Sequence, residues 1–256
     1  MNIQSIYQNK IRKYLLKNLY LLLLLSFNFL YSNEPEIKPT FFTSKEIETH
    51  TNPDIRSYTT LEPGHSKTFL FIKNFPINKK FTLSTKRLVQ IEKAYKKVGD
   101  FCIDAEGLII ADSKASCHFF CVSSRGFLPG ERIHCQFIGD DFEIKTSCIP
   151  NPLLVQLGTS AIEAELITFK PAMYQFKFIG FQEDEVLEFL SISGKEKMKH
   201  SIKVSKDQGL AYSPDVIGSK GGTGKVIFKR QSGEQMQIKL PWGAELVEIY
   251  RRAHEE

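Results

Sequence analysis

A glycine-rich segment between two lysines, Lys220-Gly-Gly-Thr-Gly-Lys225, is the sharpest chemical pattern in the sequence. Glycines let backbone N–H groups surround a phosphate, and a lysine neutralises the phosphate charge. Such a loop also needs a Ser or Thr next in the chain to hold Mg²⁺, and it must open a helix. Val226, Ile227 and Phe228 follow instead and indicate a strand. We therefore expect the glycine-rich start of a hairpin here and no nucleotide site.

Five cysteines offer disulfide or metal chemistry. They are candidates for disulfides in an oxidising compartment, and their odd number leaves at least one thiol over. If Arg125 to Gly130 form the turn of a hairpin, Cys121 and Cys135 lie opposite each other and are close enough for a strained bridge. A zinc site fits less well because the sequence has no paired C-x-x-C spacing, and we predict no metal or cofactor. The cysteines are Cys102, Cys117, Cys121, Cys135 and Cys148.

Catalytic groups do not form a recognisable set. Nucleophilic catalysis needs a Ser or Cys, a His base and an orienting acid, but the six histidines are scattered and no Ser lies in a G-x-S-x-G pattern. The carboxylate pairs Asp140-Asp141 and Glu183-Asp-Glu185 lie beside turn signals, where solvated acids are expected. The sequence therefore predicts no catalytic residues and a protein that is not an enzyme.

A run of basic residues in the first half of the chain is a candidate contact for an anionic surface, such as lipid headgroups or polysaccharide. The alternative is a solvated face, or lysines that protect an exposed strand edge. The residues of this basic stretch are Lys79, Lys80, Lys86, Arg87, Lys93, Lys96 and Lys97.

Residues 1–32 have the pattern of a secretory signal peptide. A basic region ending at Lys17 precedes an apolar run from Leu19 to Tyr31, and Ser32 is a small residue suited to the position before a cleaved bond. The run of about 13 residues is shorter than the roughly 20 that span a bilayer, although an uncleaved membrane anchor at 19–31 stays an alternative. Residues 1–32 carry four basic groups and no acid, so their removal lowers the net charge from +5 to +1. A nearly neutral mature chain does not favour a nucleic-acid partner.

The rest of the chain reads as a linker followed by two similar β units. Residues 33–57 are rich in Pro, Glu, Lys and Thr and predict a flexible linker. Beyond them, short runs with period-two alternation predict strands that are buried on one face. Phe69-Leu-Phe-Ile-Lys-Asn-Phe75 resembles Gln175-Phe-Lys-Phe-Ile-Gly-Phe181, about 105 residues later, and three further segments recur in the same order. The last of these matches Cys117–Val122 with Gly224–Phe228.

These segments predict units at 58–150, which holds the cysteines, and at 151–243, followed by a C-terminal helix at 244–256. Ser84–Gly99 is interpreted as strand, with a short helix as the alternative because apolar residues there also fall at helical spacing.

Strand spacing and duplication make the chain resemble tandem immunoglobulin-like domains of exported bacterial proteins. The resemblance implies an all-β fold of two tandem immunoglobulin-like β-sandwich units. It also implies a secreted, periplasmic or cell-envelope protein that binds or scaffolds without catalysis, with another envelope or surface protein, or an anionic surface, as its partner. The alternatives are a small envelope enzyme or carbohydrate-binding accessory module on the same sandwich, and a membrane-anchored envelope assembly subunit. A deep pocket with converging histidines and carboxylates would favour the enzyme.

Overall fold

The computed structural model describes residues 34–61, 65–89, 94–111, 114–115, 117–205 and 209–255. The predicted signal peptide at 1–32 and Lys93 lie outside these ranges. The described helices are α1 (Ser44–Glu48), α2 (Pro53–Leu61) and α3 (Ala244–Glu255). In the first half of the chain the strands are β1 (Glu36–Phe42), β2 (Lys67–Lys73), β3 (Lys80–Arg87), β4 (Lys96–Ile103), β5 (Ile109–Ala111), β6 (Lys114–Ala115), β7 (Phe119–Ser123), β8 (Ile133–Gly139) and β9 (Glu143–Cys148). The second half contains β10 (Leu153–Leu157), β11 (Ser160–Phe169), β12 (Ala172–Ile179), β13 (Val186–Ser193), β14 (Glu196–Lys203), β15 (Leu210–Tyr212), β16 (Gly221–Lys229) and β17 (Gln235–Gly243).

The strands of the described ranges form four antiparallel sheets, two in each half of the chain. The first unit pairs a sheet of order β1-β2-β7 with one of order β6-β5-β4-β3-β8-β9, and the second pairs β10-β11-β12-β15 with β14-β13-β16-β17. Because alternate side chains of a strand face opposite sides, each sheet presents an apolar face to its partner. Leu70, Phe81 and Phe137 meet in the first core, whereas Phe176 and Phe228 meet in the second. The predicted all-β fold with a C-terminal helix is confirmed.

The two units share one pattern of strand connections. The set β1-β2-β7 and β4-β3-β8-β9 in the first unit matches β11-β12-β15 and β14-β13-β16-β17 in the second, strand by strand. The internal repeat seen in the sequence is therefore a repeated topology. One predicted match is out of phase, because Cys117–Val122 covers β7, whose counterpart is β15, while Gly224–Phe228 lies in β16, the counterpart of β8. Within the described residues of the second unit, the short strands β5 and β6 have no counterpart, and they shift the spacing.

The prediction of a flexible linker at 33–57 is wrong from Glu36 onward, where the chain forms strand β1 and helices α1 and α2. Strand β1 pairs with β2 along its whole length, and helices α1 and α2 cover the outer face of that sheet. Ile47 and Ile55 are buried there against Phe69 of β2. Pro39 conceals the alternation of β1 in the sequence, but proline is tolerated here because β1 is an edge strand. A capping box of Thr43 and Glu46, an available signal for a helix start, begins α1.

Within Ser84–Gly99 the structure has strand at both ends and a turn at Leu88–Val89, while 90–93 lie outside the described ranges. No helix in the part of the chain that the structure describes is long and apolar enough to cross a membrane.

The segment Leu128–Arg132, called the joint below, fixes the first unit against the second. Leu128 belongs to the first unit by sequence, yet it is 0% exposed in the core of the second. The Gly130 N–H donates to the Asn151 carbonyl at 2.8 Å, and the Gly130 carbonyl accepts from the Leu166 N–H at 2.9 Å. The joint therefore combines apolar burial with backbone hydrogen bonds across the boundary between units.

Two ion pairs reinforce the joint. Arg87 donates to the buried Glu131 carboxylate at 2.8 Å and 3.2 Å, and its guanidinium lies 3.9 Å above the Phe127 ring. Arg132 makes a two-point contact with Glu165 of the second unit at 2.6 Å and 2.7 Å. These contacts set how the outer surface of the second unit is presented relative to the first.

Candidate functional site: a lysine face on the second unit

The outer face of the sheet β14-β13-β16-β17 carries a dense set of lysines. Alternate residues of β13, β16 and β17 are buried in the core, so the residues between them point away from it. Direct partners across an antiparallel pair share a face, so strand pairing places alternate residues of β14 on the same outer side. We call this surface the lysine face. Its charged residues are Lys197, Lys199, Lys203, Lys225, Lys229, Lys239 and Glu188.

The register aligns three of these lysines in one row across the sheet. Lys197 is opposite Ile192, Ile192 is opposite Lys225, and Lys225 is opposite Lys239. Neighbouring strands lie about 4.8 Å apart, so the row spans roughly 14 Å. A flat partner that carries negative charges at similar spacing can contact all three ammonium groups at once.

The next row gives the face an apolar centre. Leu190 and Ile227 are direct partners, flanked by Lys199 on one side and Gln237 on the other. Both apolar side chains are half-buried, and the lysines around them are longer and reach further into solvent. The face therefore joins a small apolar patch to a positively charged rim.

Glu188 is the single acid at the outward positions of these four fully described strands. Its carboxylate forms a salt bridge with the Lys199 ammonium group at 2.8 Å, and this contact lowers the pKa of the Glu188 carboxyl. Six lysines against one glutamate leave a formal charge of +5 on one side of one sheet. Like charges so close together repel one another, and an anionic partner relieves that repulsion.

The sequence prediction missed this face because its lysines are distributed over three strands between positions 197 and 239. The available signal is local alternation, as in Lys225-Val-Ile-Phe-Lys229, where buried and outward residues take turns. Only the pairing register brings such short alternations together, and register depends on contacts that are distant in the sequence.

The basic stretch predicted in the first unit is divided among several local contacts. Lys79 pairs with Asp141 at 2.5 Å and Lys97 with Asp100 at 2.6 Å, while Arg87 contributes to the joint. Lys80, Lys86 and Lys96 lie on β3 and β4 and have solvent-exposed or half-buried side chains. Three of the six described basic residues of this stretch are thus in ion pairs within the unit.

The predicted hairpin between Cys121 and Cys135 does not form. Strand β7 pairs with β2, which puts Cys121 opposite Phe69, whereas Cys135 lies opposite Thr85 and Thr146 in another sheet. Strands that are adjacent in sequence belong here to the two facing sheets of the sandwich, so the turn between them is a crossover. All five cysteines fall in described residues, and no pair of them forms a disulfide.

The five cysteines lie in two kinds of environment, the buried core and partly exposed positions. Burial raises the pKa of the Cys135 thiol to about 12 and that of Cys148 to about 11. Cys117 lies by the helices, where its thiol donates to the Phe119 carbonyl at 2.7 Å and lies 3.7 Å from the Tyr58 hydroxyl oxygen. Cys102, Cys117 and Cys121 are partly exposed.

We expect iodoacetamide at pH 8 to label Cys135 and Cys148 at least about 100-fold more slowly in the native protein than in guanidinium chloride. The thiolate is the reacting species, and a raised pKa depletes it while burial blocks access. Peptide mapping by mass spectrometry measures each site separately. Equal native and denatured rates at Cys135 would contradict the described core.

The glycine-rich segment at 220–225 leads into strand β16, which begins at Gly221, as its sequence context predicts. Gly221 has a φ of 153°, and a Cβ there would lie 2.1 Å from the Ala244 nitrogen. Gly221 faces Gly243 across the strand pair, just before helix α3 begins. The glycines thus permit close backbone approach at the start of the closing helix.

An open cavity of about 630 Å³ lies at one end of the second unit, between its hairpin turns. Its lining carries Arg230, which pairs with Glu185 at 2.9 Å and with Glu234 at 3.4 Å. No histidine is among the described residues that line it. Nor do the described ranges contain a group of three or more His, Cys, Asp or Glu residues that could hold a metal ion.

No family model matches the chain, and no curated protein matches it. Among solved structures it is similar to the tetra-tandem repeat in the extending region of a large adhesion protein, at 7% sequence identity and a TM-score of 0.25. The similarity covers 82% of this chain and 49% of that chain, so the protein spans about half the length of the structure it matches.

Proposed function

We propose that this protein is a non-catalytic binding or scaffolding protein that contacts a negatively charged partner through the lysine face. The observation that carries the proposal is the formal charge of +5 on the outer side of a single four-stranded sheet. Complementary charge increases the association rate and selects partners of opposite sign.

The joint supports a scaffolding role. Leu128 and the Arg132–Glu165 pair hold the units against each other, so the first unit can act as a spacer for the binding surface of the second. The strands that the two units share, three in one sheet and four in the other, support an immunoglobulin-like assignment, and such sandwiches commonly serve as contact modules.

The proposed location is the cell envelope or the exterior of a bacterial cell. Support comes from the basic, apolar and small-residue order of residues 1–32, and cleavage after Ser32 is part of the proposal. The N-terminus of an exported preparation should then begin at Asn33, and N-terminal sequencing tests this.

The triple variant Lys197→Gln, Lys225→Gln, Lys239→Gln should bind poly-L-glutamate about 30-fold more weakly than the unmodified chain. Each exposed ion pair contributes roughly 0.2–1 kcal/mol, so losing three costs about 2 kcal/mol of binding free energy. Isothermal titration at low salt measures the dissociation constants, and circular dichroism checks that each variant is folded.

The matched control is Lys80→Gln, Lys86→Gln, Lys96→Gln, which removes the same charge from the basic stretch of the first unit. It should change the affinity less than about 3-fold, since net charge alone has only a long-range effect. A control that loses as much affinity as the lysine-face variant would overturn the proposal.

A further inference from the structure

Strand β14 is an edge of the sheet that carries the lysine face. It pairs with β13 over all eight residues from Glu196 to Lys203, with no register shift. Within the described residues no strand pairs with its other side. A regular edge of this length offers a row of backbone N–H and C=O groups for a further strand.

The two sides of β14 differ in chemistry. On the outer side its residues include Lys197, Lys199 and Lys203, which continue the lysine face to the edge. On the inner side Met198 and Ile202 are directly opposite Ser191 and Leu187, whose side chains point into the core. A strand added beside β14 would therefore meet lysines on one side. On the other it would meet Met198 and Ile202 with His200 between them, and Glu196 at the start of the strand.

The inner side of β14 is an open ledge. Met198 is 46% exposed, although its cross-strand partner Ser191 is buried. The His200 ring lies 4.7 Å from the Phe189 ring and is itself exposed to solvent. The facing sheet ends at the three-residue strand β15. The exposure of Met198 and His200 shows that this sheet does not extend over them.

We propose that β14 receives an extended segment of another protein, in which acidic and apolar residues alternate, as an additional strand of this sheet. Alternate side chains of the added strand would place carboxylates beside the lysines and apolar groups on the ledge of Met198 and Ile202, while its backbone pairs with β14. This inference rests on the proposed function, because it names the partner of the same face.

Repulsion between lysines disfavours a second copy of this chain as the added strand. Two β14 strands paired together would bring Lys197, Lys199 and Lys203 of one copy beside the same lysines of the other. Like charges opposed across a strand pair are destabilising, and edge lysines are a known device against self-pairing. An acidic segment meets no such repulsion.

The test compares two eight-residue peptides of one composition, one with Glu and Val alternating and one with four Glu followed by four Val. The alternating peptide should bind the full chain at least 10-fold more tightly. In the complex every second backbone amide of β14 should exchange with solvent at least 10-fold more slowly, because it gains a hydrogen bond. Amide exchange by nuclear magnetic resonance shows this residue by residue.

The variant Met198→Ser, His200→Ser removes the two exposed inner-side groups of the ledge, leaves Ile202 packed against the core, and removes no lysine. It should weaken the alternating peptide about 10-fold and change the affinity for poly-L-glutamate less than 2-fold. Both side chains are already exposed, so folding is preserved.

Equal affinity for the two peptides, or unchanged exchange at β14 while poly-L-glutamate still binds, would overturn the added strand and leave the proposed function standing. If neither poly-L-glutamate nor either peptide binds, the added strand and the proposed function are both overturned. A concentration-dependent dimer with protected β14 amides in the absence of peptide would overturn the assignment of the edge to an acidic partner.

Discussion

Replacing Glu131 with alanine should lower the free energy of unfolding by about 3–5 kcal/mol. The Glu131 side chain is 0% exposed, accepts from Arg87 at 2.8 Å and 3.2 Å, and accepts from the Leu128 N–H at 3.1 Å. Its removal leaves a largely buried guanidinium without its carboxylate partner, and the loss of one member of a buried ion pair has a cost of this size. Urea denaturation followed by the fluorescence of Trp242 measures the change.

The control is Glu165→Ala, which removes the other ion pair of the joint. Arg132 and Glu165 are partly exposed, so water solvates the arginine when its partner is removed, and we expect a loss of only about 1 kcal/mol. Similar losses for the two variants would contradict the description of Glu131 as the buried centre of the joint.

Replacing Gly130 with alanine should lower the free energy of unfolding by about 3 kcal/mol. Gly130 has a φ of 78°, a left-handed conformation that costs other residues roughly 1–2 kcal/mol. An added Cβ would also lie 2.7 Å from the Ala164 carbonyl oxygen and 3.1 Å from the Leu166 nitrogen, so the two units would have to separate locally. Urea denaturation again provides the measurement.

Gly158→Ala separates the two causes. Gly158 has a φ of 60°, but nothing lies within 4 Å of an added Cβ, so this variant carries the backbone strain alone. It should cost about 1 kcal/mol. If Gly130→Ala costs no more than Gly158→Ala, the units do not meet as closely at Gly130 as described.

Strand content could be predicted from sequence because it depends on local alternation, and the repeat could be predicted because similar segments recur in the same order. Runs such as Ala172-Met-Tyr-Gln-Phe-Lys-Phe178 show period two directly, and the structure places their buried residues in the second core. Helix α3 was also predictable from a local pattern, because Leu246 and Ile249 fall at helical spacing and lie on one face of the helix.

Features that depend on long-range pairing were not predictable. The sequence on either side of the turn at Leu128 has the local pattern of a hairpin. In the structure, however, β7 pairs with β2, whose residues lie more than 45 positions earlier in the chain. The joint also depends on Leu128 leaving its own unit for the core of the next. A period-two pattern fixes which side chains share a face of one strand, and it leaves open which strand lies beside it.

The lysine face illustrates the same limit for the candidate site. The predicted basic stretch is dense in sequence but loses charge to Asp100, Asp141 and Glu131 once the chain folds. Lys197, Lys225 and Lys239 are scattered in sequence and come into one row through three strand registers. Clustering in space, not in sequence, determines the local field that a partner meets.

The most direct test of the lysine face as the binding surface is a titration of the isotope-labelled chain with poly-L-glutamate, followed by amide chemical shifts. We predict that the largest shifts occur on β13, β14, β16 and β17, centred on the row that contains Lys197, Lys225 and Lys239. Shifts concentrated on β3 and β4 around Lys80 and Lys96, or spread evenly over both units, would contradict the lysine face as the binding surface.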